Sequence, residues 1–257
     1  AQWSPHELWF HARSRQGTRE WGGTYWARGR SDPPPALREP ADGPVIPLYQ
    51  PDLSLVAAQD PPLTEVVENR RSVRSHDDRS PVTIDQLGEF LYRTARTRRT
   101  WTGEDMAFAS RPYPGGGAIH ELELYPVVRH VTGLAAGVYH YDGASHGLEL
   151  LTTDNALVRK VIAHAADAAA VHSQPQVVIV ITARFSRVMW KYQSMAYSLT
   201  LKNVGVLLGV MYWVATAMRL APCALGGGTA RLLDSVVGAE PLSEAGVGEF
   251  ILGSRKE

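Results

Sequence analysis

The chain has 257 residues with 44% hydrophobic content, enough to bury a full core in one large domain or two small ones, and its 26 acidic and 26 basic side chains cancel. Without a net field to draw it to nucleic acid or an anionic membrane, neither is expected as a partner. The single Cys223 rules out an internal disulfide framework, and the nine histidines show neither His-Glu-x-x-His nor Cys-x-x-Cys spacing, so no metal is indicated.

Residues 1–62 read as an extended arm rich in Arg, Trp and Pro, with Gly22-Gly23, Pro33-Pro34-Pro35 and no sustained periodicity. Trp3, Trp9, Trp21 and Trp26 all lie in it, and rings of that size predict an arm wrapped on a neighbouring surface. The opening AQWSPHELWF lacks the basic and apolar regions of a secretory signal, which makes a cytoplasmic location the expectation. Residues 63–257 follow as the main domain. Thr64 is expected to cap a helix running through Glu65, Val66 and Val67 to Arg70, and Thr83 with Gln86 forms a capping box for a second through Leu87, Phe90 and Leu91. Arg93, Arg96, Arg98 and Arg99 read as a solvated helix end.

Strands are expected at 122–131, 137–141, 148–151, 177–181 and 249–252, the fourth being a continuous apolar run that suits a central strand covered on both faces. The longest helix is expected from about Tyr192 to Leu220, apolar on nearly all sides and enclosed by its own domain and a partner subunit. Its uncharged stretch from Asn203 to Met218 is shorter than the roughly 20 residues that span a bilayer. Helices and strands mix without strict alternation, so the fold class is α+β.

Four short segments carry candidate chemistry. Arg70, Arg71, Ser72 and Arg74 form a phosphate clamp or a solvated basic surface. Pro114 is followed by Gly115, Gly116 and Gly117, three residues that let backbone approach a flat or anionic ligand and take positive φ, although such a turn is often only a turn. His120 and Glu123, just beyond, could point into the same place. Lys191-Tyr192 stands near the start of the long apolar helix, either as an acid–base pair or as a helix start with a snorkelling lysine. The run CALGGG offers the backbone of Leu225, Gly226 and Gly227 after that helix, or simply a glycine C-cap, and Cys223 within it reads as a packing residue.

Taken in order, these segments resemble the nitroreductase-like flavin family, and more closely its SagB/McbC-type azoline dehydrogenase branch, which makes thiazoles and oxazoles in modified peptides. RRSVR resembles the opening FMN motif, RPYPGGGAIHELELY is similar to the Pro-x-x-Gly-Gly-Ala-x-His-x-x-Glu segment, GVYHYD resembles the hairpin after it, and KYQSMAY matches the Lys-Tyr motif. CALGGG and VGEFILGSR complete a likeness that covers about residues 63 to 255. Ser198 departs from it, standing where many relatives have Arg.

The resemblance implies a central, mostly antiparallel sheet flanked by helices, with a long helix at a homodimer interface that holds FMN. Arg70, Arg71, Ser72, Arg74 and Arg255 would lie near the phosphate and ribityl chain, and Pro114, Gly115, Gly116, Gly117, Leu225, Gly226 and Gly227 near the ring. Lys191 and Tyr192 would be the catalytic pair, with Tyr192 the better candidate for the base and the opposite assignment open. The implied substrate is an azoline-containing peptide, with molecular oxygen taking the electrons. A reductase using NAD(P)H on nitro compounds or quinones, and a non-catalytic peptide-binding subunit, stand as alternatives.

Overall fold

The computed structural model describes residues 2–15, 24–40, 43–228, 230–233, 237 and 240–256. Its centre is a seven-stranded sheet of β1 (Val45–Pro47), β4 (Leu122–Val128), β5 (Gly137–Asp142), β6 (Gly147–Thr152), β7 (Val177–Arg184), β8 (Ala221–Leu225) and β9 (Glu244–Gly253), while β2 (Arg99–Thr102) and β3 (Ala107–Ser110) form a separate hairpin. The order is β1-β6-β5-β4-β7-β9-β8, antiparallel at each pairing.

β7 explains the layering. Val177, Ile179, Ile181 and Ala183 join one core with Leu87, Phe90 and Leu91 of α4 (Ile84–Ala95) and Val204, Leu207 and Met211 of α7 (Ala196–Ala217). Val178 and Val180 enter the other core, with Val158, Val161 and Ile162 of α5 (Asn155–Ala168). Successive residues of a strand face opposite sides, so an unbroken apolar run requires cover on both. Thr83 and Gln86 start α4 as expected: the Gln86 amide donates to Thr83 Oγ1 at 3.1 Å and the Thr83 amide to Gln86 Oε1 at 3.0 Å.

Several expectations are corrected. Part of the arm is helical: α1 (Pro5–Ser14) has Pro at its first position and Glu7 accepting the Ser4 amide, and α2 (Leu53–Gln59) is capped by Asp52. β1 joins the sheet edge beside β6, whereas α1 buries no residue and leaves Trp3 and Trp9 in solvent. Trp21 and Gly22-Gly23 fall outside the described residues. α3 (Leu63–Asn69) starts after Pro62, so Thr64 lies inside its first turn rather than at the cap.

The long helix starts about four residues later than expected and is preceded by a short helix that was not expected. α6 (Phe185–Lys191) follows β7 directly, residues 192–195 break the path, and α7 begins at Ala196, so Lys191-Tyr192 closes a short helix instead of opening a long one. Its own chain covers α7 on one side: Thr200, Asn203, Val204, Leu207 and Met211 are buried, while Tyr197, Leu201, Val206 and Trp213 are exposed. By length and composition alone α7 could cross a membrane, yet its inner face is part of the domain core. The CALGGG segment begins as edge strand β8 and not as a helix cap, with Cys223 packed in the core as expected. Arg93 is no solvated helix end either: it pairs with Glu89 at 2.8 Å and with Asp60.

Candidate functional site

The glycine turn sits between the hairpin and β4, at the end of β7 that leads into α6. Gly117 has φ 65, and both Tyr192 Oη and Lys191 Nζ lie within 2.9 Å of where its Cβ would stand. Any side chain there would be strained by the backbone and would displace the Lys-Tyr pair. Gly116 has its own neighbour, since a Cβ would run into Leu199 of α7. The Gly116 amide donates to Asn203 Oδ1 at 3.1 Å, and Asn203 Nδ2 donates to Glu121 Oε1 at 2.9 Å, so one buried amide ties the turn to α7 and to the residue just before β4.

α6 brings the Lys-Tyr pair to this turn. Arg187 and Lys191 are four residues apart and share one helix face. Lys191, 8% exposed, donates from Nζ to the Gly117 carbonyl at 3.3 Å. Arg187 is fully buried and donates to the Ile119 carbonyl at 2.9 Å, the Ala107 carbonyl at 3.1 Å and the Pro34 carbonyl at 2.8 Å, joining turn, hairpin and arm. Burial among other cations brings its guanidinium down to about 10. A small core of Ala27, Met106, Phe108, Ile119, Val188, Trp190 and Ala196 packs beneath.

Behind the turn lies a charged interior. The His120 ring lies 3.1 Å from a Gly115 Cβ position, its Nδ1 accepts and donates no bond among the described residues, and burial beside Arg111 and Arg187 lowers it to about 4. Glu121 is raised by burial despite the Asn203 hydrogen bond, and its Oε2 has no partner among the described residues. Burial would raise Glu123 too, but the His140 hydrogen bond and the Arg111 and Arg184 charges prevail and hold it at about 2. Of the two expected neighbours of the site, His120 lies under the glycine turn and Glu123 turns away into the sheet, 3.4 Å from His140 and 3.5 Å from Arg184.

The arginine cluster is elsewhere on α7. Ser72 Oγ and Tyr212 Oη are 2.8 Å apart, the Ala224 amide of β8 donates to the same Tyr212 oxygen at 2.9 Å, and the Arg70 guanidinium lies 5.3 Å from the Tyr212 ring centre. Asn203 and Tyr212 put the glycine turn and the cluster about 14 Å apart along the helix axis at 1.5 Å per residue. Arg74 is exposed, Arg71 turns back to donate to the carbonyls of Glu68 and Arg70, and Arg255 lines a cleft with Asn69, Thr216 and Arg219. Leu225, Gly226 and Gly227 line a separate groove of about 250 Å³ with Tyr197 and Leu201, on a neighbouring face of α7's first turns. Pro114 is exposed at the mouth of the first turn.

Asn203, Arg187 and Glu121 carry the site's geometry without any motif announcing them. Asn203 alone gives a sequence signal, as an amide at the head of an apolar helical run that must find partners once buried.

Residues 67–253 match the model of the nitroreductase family. A curated protein of Methanocaldococcus jannaschii described as "putative nitroreductase" is 27% identical over 64% of this chain and 78% of its own length. Solved structures with that description resemble the fold: one from Anabaena variabilis with TM-score 0.65, 20% identity and 95% of this chain covered, and one from Ralstonia eutropha with TM-score 0.62, 18% identity and 88% covered. The chain spans 45% of the first and 97% of the second. A chain of the E. coli microcin synthetase McbBCD complex with truncated pro-MccB17 bound has TM-score 0.60 and 20% identity, covering 74% of this chain and 73% of its own.

Proposed function

The chain belongs to the nitroreductase family, whose members are flavin oxidoreductases, and from that premise we propose that it oxidises thiazoline or oxazoline rings in peptides to thiazoles or oxazoles with FMN as cofactor. The observation that carries this reading is the meeting of Lys191 Nζ and Tyr192 Oη at Gly117. A simple hydride relay to a nitro group or quinone has no need of such a pair, whereas forming an aromatic ring requires a proton to be taken from carbon. The McbBCD neighbour, bound to a truncated pro-peptide, adds an analogy at the level of fold.

The residues fit FMN. Glycines border the groove at the head of α7: Gly226 and Gly227 have nothing within 4 Å of where a Cβ would stand, so backbone there can approach a flat ring, while Gly116 and Gly117 are closed over by Leu199, Lys191 and Tyr192. Arg70, Ser72 and Arg74, with Arg255 beyond them, would hold the phosphate and ribityl chain, and Arg71 would join them by leaving the end of α3. FMN supplies, when bound, a hydride acceptor that no side chain provides.

The remaining steps belong to the chain. Tyr192 Oη takes the proton from the azoline Cα, and Lys191 Nζ, held beside it, stabilises the phenolate that must exist before transfer. The glycine turn fixes both heads against one point. Overall, azoline and molecular oxygen give azole and hydrogen peroxide, the ring losing two hydrogens and oxygen gaining them. The exposed apolar face of α7, with Tyr197, Leu201, Val206 and Trp213, would be covered by a second copy.

The test is to load the purified protein with FMN, add a thiazoline peptide under air and look for a loss of two hydrogens by mass spectrometry. A flavin-loaded protein that leaves the azoline intact but reduces a nitroaromatic with NAD(P)H would move the assignment to the reductase alternative. Failure to take up FMN would move it to a binding subunit. Trp213→Glu, read by light scattering together with flavin absorbance, tests the second copy: a flavin-bound monomer would contradict a shared site.

A further inference from the structure

Lys191 is a buried ammonium with no carboxylate ion pair among the described residues. Its charge instead faces aromatic rings. Nζ lies 5.0 Å from the ring centre of Tyr25, 5.2 Å from that of Phe108 and 5.4 Å from that of Tyr192. These rings come from three parts of the chain: the arm, strand β3 of the hairpin, and the residue after α6 itself. Each separation is within the range at which a ring face attracts a cation.

We infer that Tyr25 and Phe108 are positioning residues that hold the Lys191 ammonium at the glycine turn through their ring faces, which makes the arm segment around Tyr25 a working wall of the site. The inference rests on the reading of Lys191 as a member of the acid–base pair. Its physical basis is the difference between a ring and a carboxylate as partner. A carboxylate would cancel the charge, whereas ring faces hold the cation in place without neutralising it. One donor is directed at the Gly117 carbonyl, which aims the head toward the turn.

The wall is built to stay in place. The Tyr25 amide donates to the Lys191 carbonyl at 2.7 Å, so the ring and the lysine it faces are joined through backbone. Further along the arm, Trp190 Nε1 donates to the Ser31 carbonyl at 2.9 Å, Arg187 Nη1 to the Pro34 carbonyl at 2.8 Å and Arg184 Nη2 to the Pro35 carbonyl at 2.9 Å. The arm is thereby fastened to the end of β7 and to both turns of α6. On the other side Phe108 stacks on Trp101 across the hairpin, with centres 5.6 Å apart, and is itself buried.

Two readouts on Tyr25→Leu, Phe108→Leu and Tyr25→Phe test this. The first is independent of turnover: trace acetylation with acetic anhydride, followed by peptide mass spectrometry, gives the labelling rate of Lys191 relative to Lys160. Removing a ring face while keeping apolar bulk should raise the relative rate roughly tenfold in either leucine variant, and Tyr25→Phe, which keeps the face, should bring it back toward wild type. The second is azoline turnover by the flavin-loaded protein, where kcat should fall in the leucine variants with KM little changed.

Circular dichroism confirms that the variants are folded; Phe108→Leu carries the test if Tyr25→Leu is not, and the reverse. Labelling at the wild-type rate in the folded leucine variants overturns the inference, and so does faster labelling with undiminished kcat. If wild type oxidises no azoline but the leucine variants label faster, the proposed function fails while the ring cage stands.

Discussion

The two ends of α7 carry candidate ligand groups in opposite ways. At its start, the glycine turn, Lys191 and Tyr192 are locked against one another and against α7, down to a single amide hydrogen bond between Gly116 and Asn203. Toward its end, Arg74 stands in water, and Arg70 lies over the face of Tyr212. Chemistry on a carbon–hydrogen bond demands fixed geometry, and burial in an interlocked network provides it. A phosphate is gripped by charge and reach, which solvated guanidinium groups offer without being fixed beforehand.

The sharpest way to break this contrast is at the Lys-Tyr pair. Tyr192→Phe and Lys191→Ala should lower azoline turnover by about 100- to 10,000-fold while the protein stays yellow. Steady-state kinetics with a flavin absorbance spectrum checks both halves, and a near wild-type rate for Tyr192→Phe removes that residue from the mechanism.

Glycine substitutions come next. Gly117→Ala should cost about 1–3 kcal/mol of stability, from positive φ together with the displaced Lys-Tyr heads, whereas Gly226→Ala should stay within about 0.5 kcal/mol because its Cβ meets open space. Urea unfolding of the two variants side by side gives the comparison. Equal costs would mean that the first turn is no tighter than the second.

At the exposed end, Arg70→Ala and Arg74→Ala should each weaken FMN binding about tenfold, equivalent to one lost charge-assisted contact, with the urea midpoint unchanged. Equilibrium dialysis of the flavin measures it. Tight FMN binding in the double variant would take the phosphate away from this cluster.

The smallest effect is acid sensitivity. His120 is lowered to about 4 from 6.5, so the unfolded chain binds the extra proton between those values. Its contribution to stability is complete above pH 6.5 and is lost as pH falls to about 4. His76, lowered by burial to about 4 as well, adds to the same window. His120→Asn, whose side chain tolerates the φ of 48 there, should flatten the fall in unfolding free energy from urea titrations across that window by an amount of the order of 1 kcal/mol. An unchanged slope would show that His120 is solvated.

Local patterns made much of this legible. The Thr83–Gln86 box, the apolar run of β7 and the glycine turn before β4 each follow from nearest-neighbour chemistry, and all three stand where the sequence puts them. Less legible were the breaks. No apolar periodicity of its own marks the short α6 ahead of α7, and Pro222 in β8 reads as a turn until its place beside β9 at the sheet edge is known. α1 escaped notice because a helix that buries nothing has no apolar stripe to read.

By itself, then, the sequence determined which residue types were available for redox chemistry and in what order, because motifs are local and glycine, Lys-Tyr and arginine clusters keep their chemistry wherever the chain goes. Only the tertiary structure decided which of them meet. Gly117 and Lys191 are 74 residues apart along the chain, and Tyr25 reaches the same ammonium from the arm because Arg184, Arg187 and Trp190 fasten that arm to α6. Such contacts depend on the packing of distant segments around one buried helix, and no local periodicity records them.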